Sequence, residues 1–299
     1  MRVAVIGLGS IATKAYLPVL MSTPGVTPVL VSRSRETVER IGRAYRVPEQ
    51  HTSLDDAITS GLDAATVHSP TRTHPEIVET LVRAGVPVLV DKPLADDAAT
   101  AATLASTAAA QGVSLMVGFN RRFAPAYREL AGWPDRDVVT LQKHRDEPLG
   151  PARAMVFDDY VHVLDTLRFL VPSPLTDVVV HTRVDASGCR RLAVQFTGEG
   201  RIATGVMSWT AGMAHEHLDV VGDGRRRQVT DLADVVDLDG TERLTRRDGW
   251  QPATTLRGFD AMCAHFLGAV REGRVLDAHD AVVTHELCER VVAAAEGRV

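Results

Sequence analysis

The start of the chain constrains the fold more than any other stretch. The apolar residues 3–6 lead directly into GLGSIA over residues 7–12, a GxGxxA turn that opens a helical pattern. In such a turn Gly7 permits the tight bend, Gly9 lets a pyrophosphate approach the backbone, and Ala12 is small enough for helix–strand packing. The helix N-terminus offers amide donors to phosphates, so Ser10 and Ile11 are candidate binding residues as well. The pattern predicts a Rossmann unit that binds a dinucleotide.

The end of the second predicted strand bears on the choice of dinucleotide. That strand covers residues 27–31, and the four residues after it are Ser32, Arg33, Ser34 and Arg35. NAD-specific sites place an acid here to accept hydrogen bonds from the ribose 2′-hydroxyl, whereas hydroxyl and guanidinium groups bind a 2′-phosphate. The first acid is Glu36, so Ser32, Arg33 and Ser34 favour NADP(H). The alternative is that the arginines only solvate the next helix, in which case NAD remains possible.

The first half of the chain alternates short apolar runs with helical patterns. Further strands are predicted over residues 64–68, 86–90 and 113–117, and helices over residues 36–45, 54–58 (capped by Ser53), 76–84 and 96–111. Strands that alternate with helices of this length indicate a parallel, doubly wound sheet. We therefore predict an α/β fold in which residues 1–119 form the NAD(P)-binding Rossmann domain.

The second half of the chain has a different order of predicted strands and helices. Strands are predicted over residues 138–143, 177–184, 191–197, 201–209, 217–221 and 226–231, and helices over residues 157–170, 255–272 and 280–295. Strands that follow one another without long helices between them form mostly antiparallel sheets. Residues 120–299 are therefore predicted to form a second α/β domain with a large, mostly antiparallel sheet.

The strand predicted over residues 86–90 ends abruptly in Asp91, Lys92 and Pro93. A lysine at this point is held by a backbone that moves little, and open α/β sheets bind their ligands at the carboxyl ends of strands. The Lys92–Pro93 bond is also a candidate for the cis form. Lys92 is therefore a candidate to meet a substrate, the alternative being a solvated lysine in a strand-to-helix turn.

Two acids precede a histidine in the helix predicted over residues 157–170. On a helix Asp158 is an i,i+4 neighbour of His162, and Asp159 is an i,i+3 neighbour, so either carboxylate can orient the imidazole. A neighbouring carboxylate favours the protonated imidazole, which suits proton transfer near neutral pH. The alternative is a histidine at a helix start whose two preceding acids complement the helix dipole.

Composition and charge argue against several functional classes. The net charge of −5 gives no reason to expect a nucleic-acid partner, and no apolar run approaches the roughly 20 residues that a membrane span needs. The cysteines Cys189, Cys263 and Cys288 are widely spaced, which favours reduced thiols in a cytoplasm over disulfides or a zinc site. His215 and His217 have the spacing of a metal-binding pair on a strand, but no third ligand is recognisable nearby, so no metal is predicted.

With these motifs the chain resembles the Gfo/Idh/MocA family of oxidoreductases, and is most similar to its MviM-like branch. The matching stretches are GLGSIA at 7–12, SPTRTH at 69–74, DKPLA at 91–95, GFNRRF at 118–123, and the spacing of Asp158, His162 and Asp165. The resemblance implies a Rossmann domain followed by a substrate-binding α/β domain whose sheet often forms the oligomer interface. A homo-oligomer, either a dimer or a tetramer, is therefore expected.

The resemblance also implies roles for single residues. Lys92 matches the lysine that contacts substrate and the nicotinamide end of the cofactor, His162 matches the proton-transfer histidine, and Asp158 matches the carboxylate before it. The SPTRTH stretch adds two expected cofactor contacts, Ser69 and His74.

Polar residues beyond the last Rossmann strand are candidates for substrate contacts. Arg121 and Arg122 follow that strand, where an arginine can hold a carboxylate or a carboxamide; the alternative is a surface ion pair. The full set of candidate substrate contacts is Asn120, Arg122, Lys143, Asp159 and Tyr160.

Three positions depart from the family's pattern. The motif acid is Asp91 where Glu is usual, which shortens its reach and alters how Lys92 is oriented. Tyr160 stands where glycine is common, and its bulk is expected to reshape or partly fill a sugar pocket, while Thr71 stands where many members have Asn. Sugar or cyclitol specificity is therefore not inherited from the resemblance.

Together these patterns predict an NADP(H)-dependent oxidoreductase that transfers a hydride between nicotinamide and a carbinol or carbonyl carbon of a small polar substrate. Two alternatives stay open: reduction of a C=N bond on the same scaffold, and a non-catalytic protein that senses a nucleotide. The presence of both Lys92 and His162 weighs against the second alternative.

Overall fold

The computed structural model describes residues 1–172 and 174–298. The chain divides into two compact units: a Rossmann unit of Met1–Gly118 and Phe259–Val283, and a sheet unit of Phe119–Gly258 and Thr284–Val299. The late segment of the Rossmann unit is bound to its sheet, because the backbone N–H of Leu115 donates to the carbonyl of Leu276 at 3.0 Å.

The Rossmann unit is built on a six-stranded parallel sheet with the order β3-β2-β1-β4-β5-β6. Its strands are β1 (Arg2–Ile6), β2 (Thr27–Val31), β3 (Gln50–His51), β4 (Ala64–Val67), β5 (Val88–Asp91) and β6 (Leu115–Gly118). The central strands are buried along nearly their whole length, as continuous apolar runs in a doubly covered sheet should be. The predicted parallel, doubly wound sheet is confirmed.

Helices connect these strands, and polar caps set where several of them begin. The helices are α1 (Leu17–Ser22), α2 (Arg35–Tyr45), α3 (Leu54–Thr59), α4 (His74–Arg83) and α5 (Ala98–Gln111). The side chains of Ser34, Ser53 and Asp97 each accept a hydrogen bond from a backbone N–H in the first turn of α2, α3 and α5. The predicted cap at Ser53 is confirmed. A π-helical segment, Ala12–Tyr16, leads into α1.

The sheet unit is built on an eight-stranded sheet with the order β14-β13-β12-β11-β7-β10-β9-β8. Its strands are β7 (Val138–Asp146), β8 (Thr176–Asp185), β9 (Gly188–Gly198), β10 (Arg201–Ser208), β11 (Thr210–Gly222), β12 (Arg225–Thr230), β13 (Asp234–Leu238) and β14 (Glu242–Thr245). Among the described strands of this sheet, only β7 and β10 pair in parallel, so the predicted mostly antiparallel sheet is confirmed. The sequence does not predict β13 and β14, because neither strand has a fully buried face.

Helix α8 (Val161–Leu170) covers one face of this sheet. Gly205 on β10 lies against it, since a Cβ at this position would come within 2.5 Å of Val163 and 2.8 Å of Leu167. The segments before α8 are a 3₁₀ turn (Asn120–Phe123), α6 (Pro125–Ala131), α7 (Ala152–Met155) and a π-helical segment (Val156–Tyr160).

The helix predicted over residues 255–272 is interrupted. It forms α9 (Ala253–Leu256) and α10 (Phe259–Arg271), and Gly258 lies between them with φ +81, where a Cβ would come within 2.4 Å of the Ala124 nitrogen. The last helix is α11 (His279–Ala295). Within residues 1–172 and 174–298, no helix combines the length and the apolar character that crossing a lipid bilayer requires.

Candidate active site

A cleft of about 1020 Å³ lies along the carboxyl edge of the Rossmann sheet, where parallel α/β sheets bind their ligands. The ends of β1, β2 and β4 line it, together with the first turns of α2, α3 and α4. The cleft brings together most of the residues that the sequence suggests for cofactor binding, namely Gly7, Gly9, Ser32, Arg33, Ser34 and Ser69.

The glycine turn has the geometry that a diphosphate site needs. Gly7 has φ +86, and a Cβ on it would lie 2.5 Å from the backbone nitrogen of Ser69, so only glycine fits there. A Cβ on Gly9 would instead meet no atom of the described residues within 4 Å. Ser10 and Ile11 follow as exposed residues at the start of the helical segment, and Ala12 is buried beneath it.

Of the four residues after β2, the first three line the cleft and the fourth does not. The hydroxyl oxygens of Ser32 and Ser34 accept hydrogen bonds from the backbone N–H of Ser34 and Thr37, at 3.3 and 3.2 Å, which leaves both hydroxyl protons available to a ligand. Arg33 is exposed and lines the cleft, whereas Arg35 forms an i,i+4 ion pair with Glu39 at 3.9 Å.

His74 does not reach the cleft as a ligand. Its ring is 1% exposed, and its two nitrogens lie 2.8 Å from the carbonyl oxygens of Pro93 and Ser69. The predicted cofactor contact of His74 is therefore wrong: the ring joins the loops that follow β4 and β5. Ser69 itself lines the cleft, and its hydroxyl accepts a hydrogen bond from Thr73 at 2.8 Å.

Lys92 lies where the sequence predicts it, directly after β5, and its peptide bond to Pro93 is cis. Its side chain is half-buried, and its backbone N–H donates to the Asp91 carboxylate at 2.9 Å. The same Asp91 oxygen accepts from the Tyr16 hydroxyl at 3.3 Å. Burial raises the pKa of Asp91 despite the opposing charge of Lys92.

His68 is a residue of the cleft that the sequence reasoning does not single out. It is buried directly after β4, and its ring lies against Tyr16 with the ring centroids 3.9 Å apart. Burial lowers the pKa of His68 to about 3, so the imidazole is neutral. The signal that would have found it is the one used for Lys92, a polar side chain that ends a buried apolar strand.

In the sheet unit, Asp158 and Asp159 face different surroundings. Asp158 is exposed in the π-helical segment, and His162 is half-buried in the first turn of α8. Asp159 is buried and accepts hydrogen bonds from the Lys143 ammonium, from the Arg145 guanidinium and, at 2.9 Å, from the Trp209 indole. Its carboxylate is thus engaged by three donors within the sheet unit.

Lys143 and Asp159 form a buried ion pair. Burial lowers the pKa of Lys143 to about 8, although the charge of Asp159 opposes this shift. Burial alone would raise the pKa of Asp159, but Lys143, Arg145 and the hydrogen bond from Trp209 together lower it. Both residues were candidate substrate contacts, and here each has its charge matched within the sheet unit.

The other candidate substrate contacts also have internal partners. Asn120 is buried and donates to the carbonyl of Arg257 at 2.8 Å, and Arg122 binds Asp165 with its Nε 2.9 Å from one carboxylate oxygen. Tyr160 is 0% exposed and its hydroxyl donates to the carbonyl of Gly205 at 2.8 Å. The substrate contact predicted for Tyr160 is therefore wrong, because its bulk fills the core beneath the sheet rather than a pocket.

Arg121 likewise forms a buried ion pair rather than a surface one. Its guanidinium donates to both oxygens of Glu216, at 2.9 and 2.6 Å. His215 and His217 lie on one face of β11 with parallel rings 6.3 Å apart. In the described parts of the chain, no three His, Cys, Asp or Glu side chains cluster as metal ligands would.

Comparison with known proteins identifies the family. Residues 1–119 match the model of the GFO_IDH_MocA oxidoreductase family, NAD-binding Rossmann fold, and residues 125–238 match a YceM-like C-terminal domain. The chain is 36% identical over 282 residues to YceM of Salmonella typhimurium, covering 92% of this chain and 91% of that protein. It is 33% identical over 190 residues to myo-inositol dehydrogenase Hyg17 of Streptomyces leeuwenhoekii, covering 60% of this chain and 58% of that protein.

Solved structures extend the match in three dimensions. The dehydrogenase MviM of Clostridium difficile has a TM-score of 0.93 at 25% identity, covering 98% of this chain and 99% of that chain. A Gfo/Idh/MocA family oxidoreductase from Vibrio cholerae has a TM-score of 0.89 at 28% identity, covering 99% of this chain and 96% of that chain. Because the sequence and the fold match over nearly the full length, the chain belongs to the Gfo/Idh/MocA family of oxidoreductases.

Proposed function

We propose that this chain is an NADP(H)-dependent dehydrogenase or reductase that acts on a carbinol or carbonyl carbon of a small polar substrate. The observation that carries the proposal is the cleft at the carboxyl edge of the parallel sheet, which the glycine turn after β1 lines. Lys92 follows β5 at the same edge of the sheet. A sugar-like or cyclitol substrate class is supported by the relative named as a myo-inositol dehydrogenase.

The residues around the glycine turn fit a dinucleotide. The space beside Gly9 is open where a diphosphate would approach, and the exposed start of the helix at Ser10 and Ile11 offers backbone amides to it. Ser69 lies on the neighbouring loop and lines the same cleft. A bound nicotinamide dinucleotide supplies or accepts the hydride, and the protein contributes binding and orientation.

The preference for NADP(H) rests on Arg33. Arg33 lines the cleft, between two serines whose hydroxyl protons are available, and this donor set suits a 2′-phosphate. Asp55 and Glu76 also line the cleft, so carboxylates are present on its helical side. The affinities for the two dinucleotides must therefore be compared directly.

Replacing Arg33 tests this preference. Arg33→Ser is expected to weaken NADPH binding about tenfold or more, because a charge-assisted hydrogen bond to phosphate is lost, and to leave NADH binding unchanged. Arg35→Ser is the matched control, since Arg35 is paired with Glu39. Dissociation constants from NADPH and NADH fluorescence titrations give the answer. Tighter binding of NADH by the wild-type protein would contradict the proposal.

The proposed chemistry assigns one role to each of three residues. The Lys92 ammonium stabilises negative charge that develops on the substrate oxygen. His162 takes or gives the hydroxyl proton, and Asp158 orients its imidazole. The support for these roles is family membership together with the half-buried positions of Lys92 and His162 and the engagement of Asp159 elsewhere.

Lys92→Met tests the proposed reaction. Turnover is expected to fall about 10²- to 10³-fold, because one preorganised charge is removed, while NADPH binding persists. The control is Lys14→Met, an exposed lysine in the same unit. Oxidation and reduction are followed at the nicotinamide absorbance across a panel of inositols, sugars, ketones and imines. Full activity of Lys92→Met would refute its role, and a wild-type protein that binds NADPH yet reacts with no panel member would favour the nucleotide-sensing alternative.

A homo-oligomer is proposed through the face of the large sheet opposite α8. Val138, Ile202 and Val221 are neighbours in register on β7, β10 and β11 and are 38–39% exposed, so they form an apolar row. Light scattering is expected to show a dimer or tetramer that Ile202→Arg dissociates; a monomeric wild-type protein would contradict this.

A further inference from the structure

His68 is a buried histidine to which the reaction proposed above gives no task. It is 6% exposed and lines the cleft directly after β4. Neither of its ring nitrogens has a hydrogen-bond partner in the described part of the chain. Buried polar groups in native proteins are almost always paired, and an unpaired one costs free energy. The unpaired nitrogens therefore point to a group that the chain itself does not supply.

The order of strands determines which part of a dinucleotide would meet His68. Along the sheet the order is β2, β1, β4 and β5, and these strands end respectively in Arg33 and its serines, the glycine turn, His68, and Lys92. With the adenosine half at β2 and the diphosphate at β1, the nicotinamide half is left for the ends of β4 and β5.

The chemistry of the ring narrows the ligand group further. A neutral imidazole carries one N–H donor and one acceptor nitrogen, and the Tyr16 ring packs against it with the two ring planes tilted by 36°. A phosphate offers acceptors, with no donor for the second nitrogen. A ribose hydroxyl or a carboxamide both donates and accepts, and so can pair with either nitrogen of the ring.

We propose that His68 binds a neutral donor–acceptor group on the nicotinamide half of the cofactor, a ribose hydroxyl or the carboxamide, and thereby positions that half in the cleft. This inference rests on the proposed function, because it requires a dinucleotide in the cleft. The Tyr16 hydroxyl contacts Asp91 beside Lys92, so the same tyrosine supports both the His68 ring and the loop of the proposed catalytic lysine.

The test compares a whole dinucleotide with its adenosine half. In His68→Leu, NADPH is expected to bind about tenfold more weakly, whereas 2′,5′-ADP, which lacks the nicotinamide half, binds as it does to the wild-type protein. His68→Gln retains a donor and an acceptor and is expected to recover most of the NADPH affinity. Without cofactor, His68→Leu should melt at or above the wild-type temperature, since it removes an unpaired buried polar group.

Three outcomes separate this inference from the proposed function. Unchanged NADPH affinity in His68→Leu, or equal weakening of NADPH and 2′,5′-ADP, overturns the role of His68 while leaving the proposed function in place. A wild-type protein that binds neither NADPH nor NADH overturns both. His279→Leu, an exposed histidine of the same unit, is the control for substitution of an imidazole outside the cleft.

Discussion

Buried polar groups differ between the two units in whether the chain supplies their hydrogen-bond partners. In the sheet unit, Glu216 is buried and its carboxylate accepts hydrogen bonds from Arg121 at 2.9 and 2.6 Å and from Tyr127 at 3.0 Å. In the Rossmann unit, beside the cleft, both nitrogens of His68 lack a partner in the described part of the chain. A network that the chain completes by itself holds the fold together, whereas a polar group left incomplete in a cleft is available to a ligand.

The pKa values of two acids, Glu216 and Asp91, follow the same division. Burial alone would raise the pKa of Glu216, but the charge of Arg121, the hydrogen bonds from Arg121 and Tyr127 and the charge of Lys143 together lower it. For Asp91, burial dominates over the charge of Lys92 and the pKa is raised. The charge of Glu216 therefore stabilises the native sheet unit, while the charge of Asp91 is kept in the Rossmann unit at a cost in stability.

The largest expected effect is on the completed network. Glu216→Gln leaves the buried Arg121 guanidinium without its counter-charge and is expected to lower the free energy of unfolding by about 3–5 kcal/mol. Glu129→Gln is the matched control, because Glu129 is itself exposed where it pairs with Arg227, and the loss of its charge should cost about 1 kcal/mol or less. Urea-induced unfolding measures both. If the two substitutions lowered the free energy of unfolding equally, the claim that the buried network around Glu216 holds the sheet unit together would be contradicted.

A smaller change in stability, of opposite sign, is expected when Asp91 in the Rossmann unit is replaced. The native pKa of Asp91 lies above its unfolded value, so its contribution to stability is full below the unfolded pKa and is lost as pH rises through the native pKa. Asp91→Asn should therefore gain stability relative to the wild-type protein between pH 4 and pH 7.5. Glu216→Gln should lose stability over the same interval, because the native pKa of Glu216 is lowered. If the stability of both variants relative to the wild-type protein changed with pH in the same direction, the opposite effects assigned to Asp91 and Glu216 would be contradicted.

Much of the Rossmann unit is readable from the sequence because its signals are local. The glycine turn, the Ser53 cap and the end of β5 at Asp91 each depend on a few neighbouring residues. The role of His74 is different, since its partners are carbonyls of Ser69 and Pro93, and the second of these lies 19 residues away. No spacing rule reports such a contact, so the sequence suggested a ligand where the structure has a link between loops.

Less of the sheet unit can be predicted from the sequence, because its contacts join residues that are far apart in the chain. Lys143 lies on β7, Asp159 in the π-helical segment and Trp209 in the bend between β10 and β11, and only the fold brings the amine and the indole to one carboxylate. From the helix pattern alone, Asp158 and Asp159 are equivalent partners of His162. In the structure the two acids differ, because Asp159 is buried and surrounded by donors. Burial likewise shows that Tyr160 belongs to the core and does not line a pocket.

The measurement that tests the account most directly is the shift in unfolding temperature that a saturating dinucleotide produces. NADPH at about 100 times its dissociation constant should raise the wild-type unfolding temperature by roughly 5 °C. Glu216→Gln should show the same rise from a lower starting temperature, and His68→Leu, at the same NADPH concentration, a clearly smaller rise from an equal or higher one. If neither NADPH nor NADH raises the unfolding temperature of the wild-type protein, the cleft is not a dinucleotide site and the central claim fails.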